Sequence, residues 1–189
     1  VIIDPQGFMH TDSPILECRE SGSTLRFFIP LALCLGKSVV LKGSERLLER
    51  PLDVYESLCQ EKGFAFSKDK TSVTLCGNLD SGSYKVRGDI SSQFITGLLF
   101  ALPLAKEDSE IIMTSHLESR PYVDITIDIL RRYGIEISET ENSFLIKGNQ
   151  KYTPYDEHIE GDYSQAAFFF VANALGSDIN ILNLKEDSV

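Results

Sequence analysis

The sequence predicts an α/β fold built as a quasi-threefold repeat of about 70 residues, with apolar helices at its centre. Two observations predict it. Three segments run small polar residues straight into an apolar helix: Glu20-Ser-Gly-Ser-Thr-Leu-Arg-Phe-Phe, Asp89-Ile-Ser-Ser-Gln-Phe-Ile-Thr-Gly and Asp162-Tyr-Ser-Gln-Ala-Ala-Phe-Phe-Phe. Ser21 to Ser91 is 70 positions and Ser91 to Ser164 is 73. A second pattern shares the period, since Glu49-Arg50-Pro51 and Ser119-Arg120-Pro121 also stand 70 apart and each opens a helical stretch ending at a glycine, Gly63 or Gly134.

Taken in chain order, the first polar-to-apolar segment predicts a helix apolar nearly all round (Phe27, Phe28, Ile29, Leu31, Leu33, Leu35), which must be buried on all sides. The stretch after Pro51 places Leu52, Tyr55, Leu58 and Cys59 on one face of an amphipathic helix, with the proline expected in its first turn, where a missing N–H costs nothing. Alternating segments over 64–67 and 72–76, split by polar residues 68–71, predict a hairpin. The second copy repeats the plan. Its central helix follows Ser91, its amphipathic helix carries Val123, Ile127 and Leu130, and its hairpin spans 135–138 and 143–147 around 139–142. Asp162 opens the third central helix, with Phe168 to Val171 along it. No linker or low-complexity segment interrupts residues 1–189, which are expected to form a single lobe.

With 42% hydrophobic and 24% charged residues, 189 residues can bury a sizeable core. The net charge of -10 argues against nucleic acid or an anionic membrane as partner, since both demand a positive surface. Cys18, Cys34, Cys59 and Cys76 are widely spaced and signal neither zinc nor a redox pair. The longest apolar stretches, 27–35 and 98–105, are too short to span a bilayer, and no leader opens the chain, so a cytoplasmic protein is expected. A chain that begins at Val1 and stops at Val189 just after the apolar stretch 179–184 reads as an excised piece of a longer chain.

Helix N-termini carry free N–H groups and partial positive charge, so the three central helices each open on an anion seat. Ser91, Ser92 and Gln93 would suit a phosphate monoester; they equally fit ordinary N-capping. Ser21-Gly22-Ser23-Thr24 is a second candidate, because glycine admits a ligand close to the backbone, though no P-loop lysine accompanies it. Arg50 and Arg120 could each clamp carboxylate or phosphate with paired hydrogen bonds, or simply lie on the surface. His10, His116 and His158 lack metal-ligand spacing, and no pair of carboxylates stands out as acid and base.

These residues resemble, in order and spacing, the N-terminal lobe of the 5-enolpyruvylshikimate-3-phosphate synthase family. The resemblance rests on Glu20-Ser-Gly-Ser-Thr-Leu-Arg26, Glu49-Arg-Pro51, Ser91-Ser-Gln-Phe94, Ser119-Arg-Pro-Tyr-Val-Asp-Ile-Thr126 and Glu160-Gly-Asp162, and it covers the chain from about Leu16 onward. It implies an inside-out α/β barrel lobe. It also implies an enzyme that moves the enolpyruvyl group of phosphoenolpyruvate to the 5-hydroxyl of shikimate 3-phosphate, on the route to chorismate, without a cofactor. Carried over, Ser91, Ser92, Ser119 and Tyr122 would meet shikimate 3-phosphate, Gln93 would lie between the substrates, and Gly22 and Arg50 would hold phosphoenolpyruvate. Arg26 would support them, and Asp162 would cap its helix.

The proton donor and base would come largely from a second lobe and from a lysine-serine motif near the N-terminus of the whole enzyme, so this chain alone is expected to bind without turning over. Two positions depart from the common pattern: Glu20, where many members carry asparagine, and Phe27, where proline is common. The alternatives are a noncatalytic ligand-binding lobe, the sister transferase acting on UDP-N-acetylglucosamine, and RNA terminal phosphate cyclase. The sister enzyme needs a reactive loop cysteine, and the cyclase a basic surface; neither signal is found.

Overall fold

The computed structural model describes residues 11–156 and 158–185. The described chain forms two compact units, the first ending at Thr153 and the second beginning at Pro154.

The first unit contains the predicted repeat twice. In the first copy β1 (Ile15–Arg19), α1 (Gly22–Leu33) and β2 (Val39–Gly43) make a crossover joining parallel strands. A short helix α2 (Glu45–Leu48), the amphipathic α3 (Asp53–Lys62) and the hairpin β3 (Ala65–Lys68) with β4 (Ser72–Cys76) follow. The second copy runs β5 (Gly82–Val86), α4 (Ser92–Ala101), a 3₁₀ turn at Leu102–Leu104, β6 (Ser109–Met113), α5 (Arg120–Arg132), β7 (Ile137–Glu139) and β8 (Ser143–Ile146). Both sheets have one order, β1-β2-β4-β3 and β5-β6-β8-β7, parallel in the first pairing and antiparallel in the other two. The sequence period is therefore a structural period.

Local chemistry explains the repeat. Each hairpin closes on one backbone bond at the same place, Asp69 N–H to the Ser72 carbonyl and Thr140 N–H to the Ser143 carbonyl, both at 2.9 Å. The Asp69 carboxylate also accepts from the Thr71 and Ser72 amides at 2.7 Å, and these bonds hold its pKa below the usual range. The amphipathic reading of α3 and α5 holds: Leu52, Tyr55, Leu58 and Cys59 are buried, as are Val123, Ile127 and Leu130. The first-turn proline holds for Pro121 only. In the first copy the helix starts later, at Asp53, and Pro51 stays in the irregular stretch before it, where its carbonyl accepts from Arg26 Nη2 at 3.2 Å.

Helices α1 and α4 pack against each other, and α4 is buried from Phe94 to Leu99, whereas α1 is not buried on all sides as its composition predicts: Leu25, Ile29, Ala32 and Leu33 face the core and Phe28 is 41% exposed. Gly97 permits the close approach, because an added Cβ would lie 2.8 Å from the Arg26 carbonyl oxygen of α1 and overlap the Tyr55 hydroxyl. That hydroxyl, on a ring set edge-on to Phe94, lies 2.9 Å from the Arg26 carbonyl and 3.0 Å from the Phe94 carbonyl, joining α3 to both central helices. Burial drives its pKa well above the ordinary tyrosine value.

The second unit contains one described helix, α6 (Tyr163–Ala174), capped by Asp162, whose carboxylate accepts from the Ser164 amide at 2.7 Å. The third apolar helix thus forms where the repeat places it in the sequence. Its surroundings differ from the first two: only Ala166 of α6 is buried, while Phe168 and Val171 are 75% and 60% exposed. The described residues after it are irregular and supply no layer to cover its apolar faces.

Candidate functional site

Two helix openings and two loops converge at one end of the first unit. Ser21 caps α1, its hydroxyl accepting from the Thr24 amide at 3.1 Å. Ser91 caps α4 in extended backbone, accepting from the Gln93 amide at 3.3 Å. Ser91 is therefore a cap. Ser92 begins α4, is buried, and its hydroxyl has no hydrogen-bond partner among the described residues.

Gln93 ties the two openings together. Its Nε2 donates to Ser23 Oγ at 2.9 Å, and its Oε1 accepts from Arg26 Nη1 at 2.7 Å. Arg26 in turn donates to the Pro51 carbonyl, beside Arg50. Arg50 Nη1 stands 2.8 Å from the point a Gly22 Cβ would occupy, so the absence of a side chain at Gly22 is what seats that guanidinium over the α1 opening. Desolvation and then the charge of Arg50 lower the Arg26 pKa, a sign that two cations share this mouth; nearby Asp53 offsets this in smaller part.

Ser119 and Tyr122 come from the start of α5. Ser119 holds a left-handed backbone, φ 57°, and makes no side-chain cap, which leaves its hydroxyl uncommitted. Tyr122 is 63% exposed. Thr126 donates to the Tyr122 carbonyl at 2.9 Å and lies 3.1 Å from the Thr96 hydroxyl of α4, a buried link between α4 and α5.

A second link sits beneath the loops. Ser115 Oγ accepts from the Gly88 and Asp89 amides at 3.0 and 3.2 Å and donates to Asp89 Oδ1 at 2.7 Å. Arg87 closes the other side of that carboxylate at 2.6 Å. Gly88 is needed there, since a Cβ would lie 2.8 Å from the His116 carbonyl oxygen. The loop before α4 is thereby fastened to the loop before α5. Hydrogen bonds from Arg87 and then Ser115 hold the Asp89 pKa well below the carboxylate range. Its contribution to stability is present above the unfolded carboxylate pKa of about 4 and is lost as pH falls toward the folded value. Asp89→Asn should therefore flatten the acid limb of a urea-midpoint against pH curve while leaving fewer bonds at neutral pH; an unchanged acid limb would show that the clamp does not feel this charge.

Arg120, the second arginine before a proline, is engaged elsewhere. It pairs with Asp124 at 2.5 Å and with Glu139, which Arg131 also meets, and it stacks over Phe144. Arg50 makes no such pair among the described residues. Of the two departures, Phe27 packs edge-on against Phe100 at 5.5 Å rather than into the mouth, and Glu20 is exposed. His158 meets Asn183 at 2.9 Å, and His10 lies outside the described residues. All four cysteines are free thiols; burial pushes Cys18, Cys34 and Cys59 up to about 11. Among the described residues no group of three or more metal-ligating side chains gathers, and no helix is long and apolar enough to cross a membrane.

The mouth offers hydroxyls, an amide and two guanidiniums around helix N–H groups, a set of donors suited to anions and poor in groups that titrate near neutrality. The model of one family, EPSP synthase (3-phosphoshikimate 1-carboxyvinyltransferase), matches residues 1–189. The chain belongs to the EPSP synthase family. Relatives named 3-phosphoshikimate 1-carboxyvinyltransferase include those of Clostridium kluyveri, 47% identical over 96% of this chain and 43% of the relative, and of Clostridioides difficile, 41% identical over 100% and 44%. The chain thus spans less than half the length of these EPSP synthase relatives. A solved EPSP synthase from Acinetobacter baumannii has the same fold, with a TM-score of 0.67 at 21% identity over 84% of this chain and 36% of that one.

Of the residues the sequence singled out, Gly22, Arg50, Ser91, Ser92 and Gln93 stand at the openings of α1 and α4, and Ser119 and Tyr122 at the start of α5; the residues that fasten these elements together were not singled out. Ser115 lies in no motif, and Asp89, Thr96 and Thr126, although inside the quoted motifs, have no spacing that marks them as fasteners. The one legible signal was Gly88 beside Asp89, a glycine at the entry to a polar helix start.

Proposed function

We propose that this chain supplies the shikimate 3-phosphate seat, and part of the phosphoenolpyruvate seat, of an enzyme transferring the enolpyruvyl group between them with release of phosphate. The observation that carries the reading is Gln93, bridging the openings of α1 and α4 so that the Ser91–Ser92 and Gly22–Arg50 groups line one mouth. The Ser92 and Ser119 hydroxyls, with Ser91 and Tyr122, are the groups for the phosphate and ring of shikimate 3-phosphate. Gly22, Arg50 and Gln93 are those for phosphoenolpyruvate. No cofactor takes part.

The described residues of this mouth bring no acid and base to the reacting carbons, so the remaining length seen in the relatives is the partner that supplies them. The chain alone should bind shikimate 3-phosphate weakly and not turn over. Calorimetry with the chain and its Ser91→Ala, Ser92→Ala double variant tests this. Loss of two hydroxyl contacts to a phosphate should weaken binding by about tenfold or more. Equal affinity in both proteins would remove the shikimate assignment, and steady phosphate release that Arg50→Ala abolishes would show that the chain is active by itself.

A further inference from the structure

The direction of the hydrogen bonds around Gln93 is fixed from one end. A guanidinium has N–H donors and no acceptor, so the Gln93 atom 2.7 Å from Arg26 Nη1 is the amide oxygen. The NH₂ group must then face Ser23, whose Oγ accepts at 2.9 Å. Having accepted, the Ser23 hydroxyl keeps its own proton, and no acceptor for it exists among the described residues. The second proton of Gln93 Nε2 is likewise unspent. Arg26 is held in place by the Pro51 carbonyl and the face of Phe94, 5.2 Å from its guanidinium carbon, while its buried Nε has no hydrogen-bond partner.

We propose that Arg26 is a positioning residue that sets the polarity of a relay, Arg26 to Gln93 to Ser23, so that Ser23 donates its hydroxyl proton to the bound anion. Without Arg26 the amide can turn over, present its oxygen to Ser23, and draw the serine proton inward. The mouth would then show an acceptor and a lone pair where an anion needs donors. The inference rests on the reading of this mouth as the phosphoenolpyruvate seat and adds Ser23 to its contacts.

The test has two arms on the 189-residue chain. In the unliganded chain, the two side-chain amide protons of Gln93, assigned by their absence in Gln93→Met, are followed by ¹⁵N-correlated NMR. They should be sharp and distinct in the unsubstituted chain and in Arg26→Lys, whose ammonium also only donates, and should broaden or shift in Arg26→Met. In the second arm phosphoenolpyruvate is titrated in the presence of shikimate 3-phosphate. Arg26→Met and Ser23→Ala should each weaken binding about tenfold, and their combination should weaken it no further, because both remove one relay. Arg26→Lys should recover most of the loss. An unchanged Gln93 pair in Arg26→Met, or losses that add in the double variant, overturns the proposal. If the unsubstituted chain binds no phosphoenolpyruvate while the Gln93 pair responds as described, the relay stands and the anion reading of the mouth falls.

Discussion

Gly97→Ala should destabilise the first unit by about 3 kcal/mol, in spite of alanine being the better helix former by about 1 kcal/mol. The added methyl would overlap the Tyr55 hydroxyl and approach the Arg26 carbonyl to 2.8 Å and Pro30 Cγ to 3.3 Å. None of these neighbours can give way cheaply. The Tyr55 ring is fully buried against Phe94 and its hydroxyl lies between two backbone carbonyls, and the second obstacle is the α1 backbone itself. Relief requires α1 and α4 to separate, which opens the most buried part of the core. The midpoint of urea unfolding, followed by far-ultraviolet circular dichroism, measures the loss. Tyr55→Phe removes one of the clashing atoms, so in the double variant the two losses should sum to less than their separate values. A Gly97→Ala protein as stable as the parent would show that the helices slide apart without cost. Because the same crossing sets Gln93 opposite Ser23, the variant should also bind shikimate 3-phosphate less well.

The repeat was legible because both of its copies in the first unit bury the same positions by the same means. Ser21 and Ser91 cap equivalent helices, and Asp69 and Thr140 close equivalent hairpins. Pro51 was misplaced by two residues because the sequence shows a proline suited to a first turn but not the Arg26 side chain waiting for its carbonyl. Arg50 and Arg120 look alike as Arg-Pro pairs. What separates them was in the chain all the same: Asp124 stands four residues after Arg120, at ion-pair spacing on a helix, whereas Val54 stands four after Arg50. The partners contributed by Glu139 and the long-range clamp of Ser115 on Asp89 could not be read from spacing, since they join residues 19 and 26 positions apart through tertiary packing. The burial of α4 followed from its composition, yet α6, also largely apolar, leaves its phenylalanines exposed, since composition states what a helix needs covered and not what is present to cover it.

On the proposed reading of the mouth as a phosphoenolpyruvate seat, Arg50→Ala should weaken binding of that anion by about a hundredfold or more, the largest binding effect expected of any single change here. Its guanidinium makes no ion pair among the described residues, so nothing inside the unit competes for it, and stability should hardly move. Arg50→Lys keeps the charge but not the two-pronged geometry and should recover only part of the affinity. Gly22→Ala attacks the same contact from the other side. Its methyl would fall 2.8 Å from Arg50 Nη1, the far end of a flexible side chain, so the arginine can swing away and the fold should survive. The anion would then meet a methyl group over the α1 amides and a displaced guanidinium, and affinity should fall as well. Combining Gly22→Ala with Arg50→Ala separates the causes. If displacement of Arg50 is the whole effect, the double variant binds like Arg50→Ala; if the methyl also blocks the amides, it binds more weakly still. Calorimetry with phosphoenolpyruvate in the presence of shikimate 3-phosphate decides between them, and an Arg50→Ala chain that binds as tightly as the parent would place the phosphoenolpyruvate anion elsewhere than over the opening of α1.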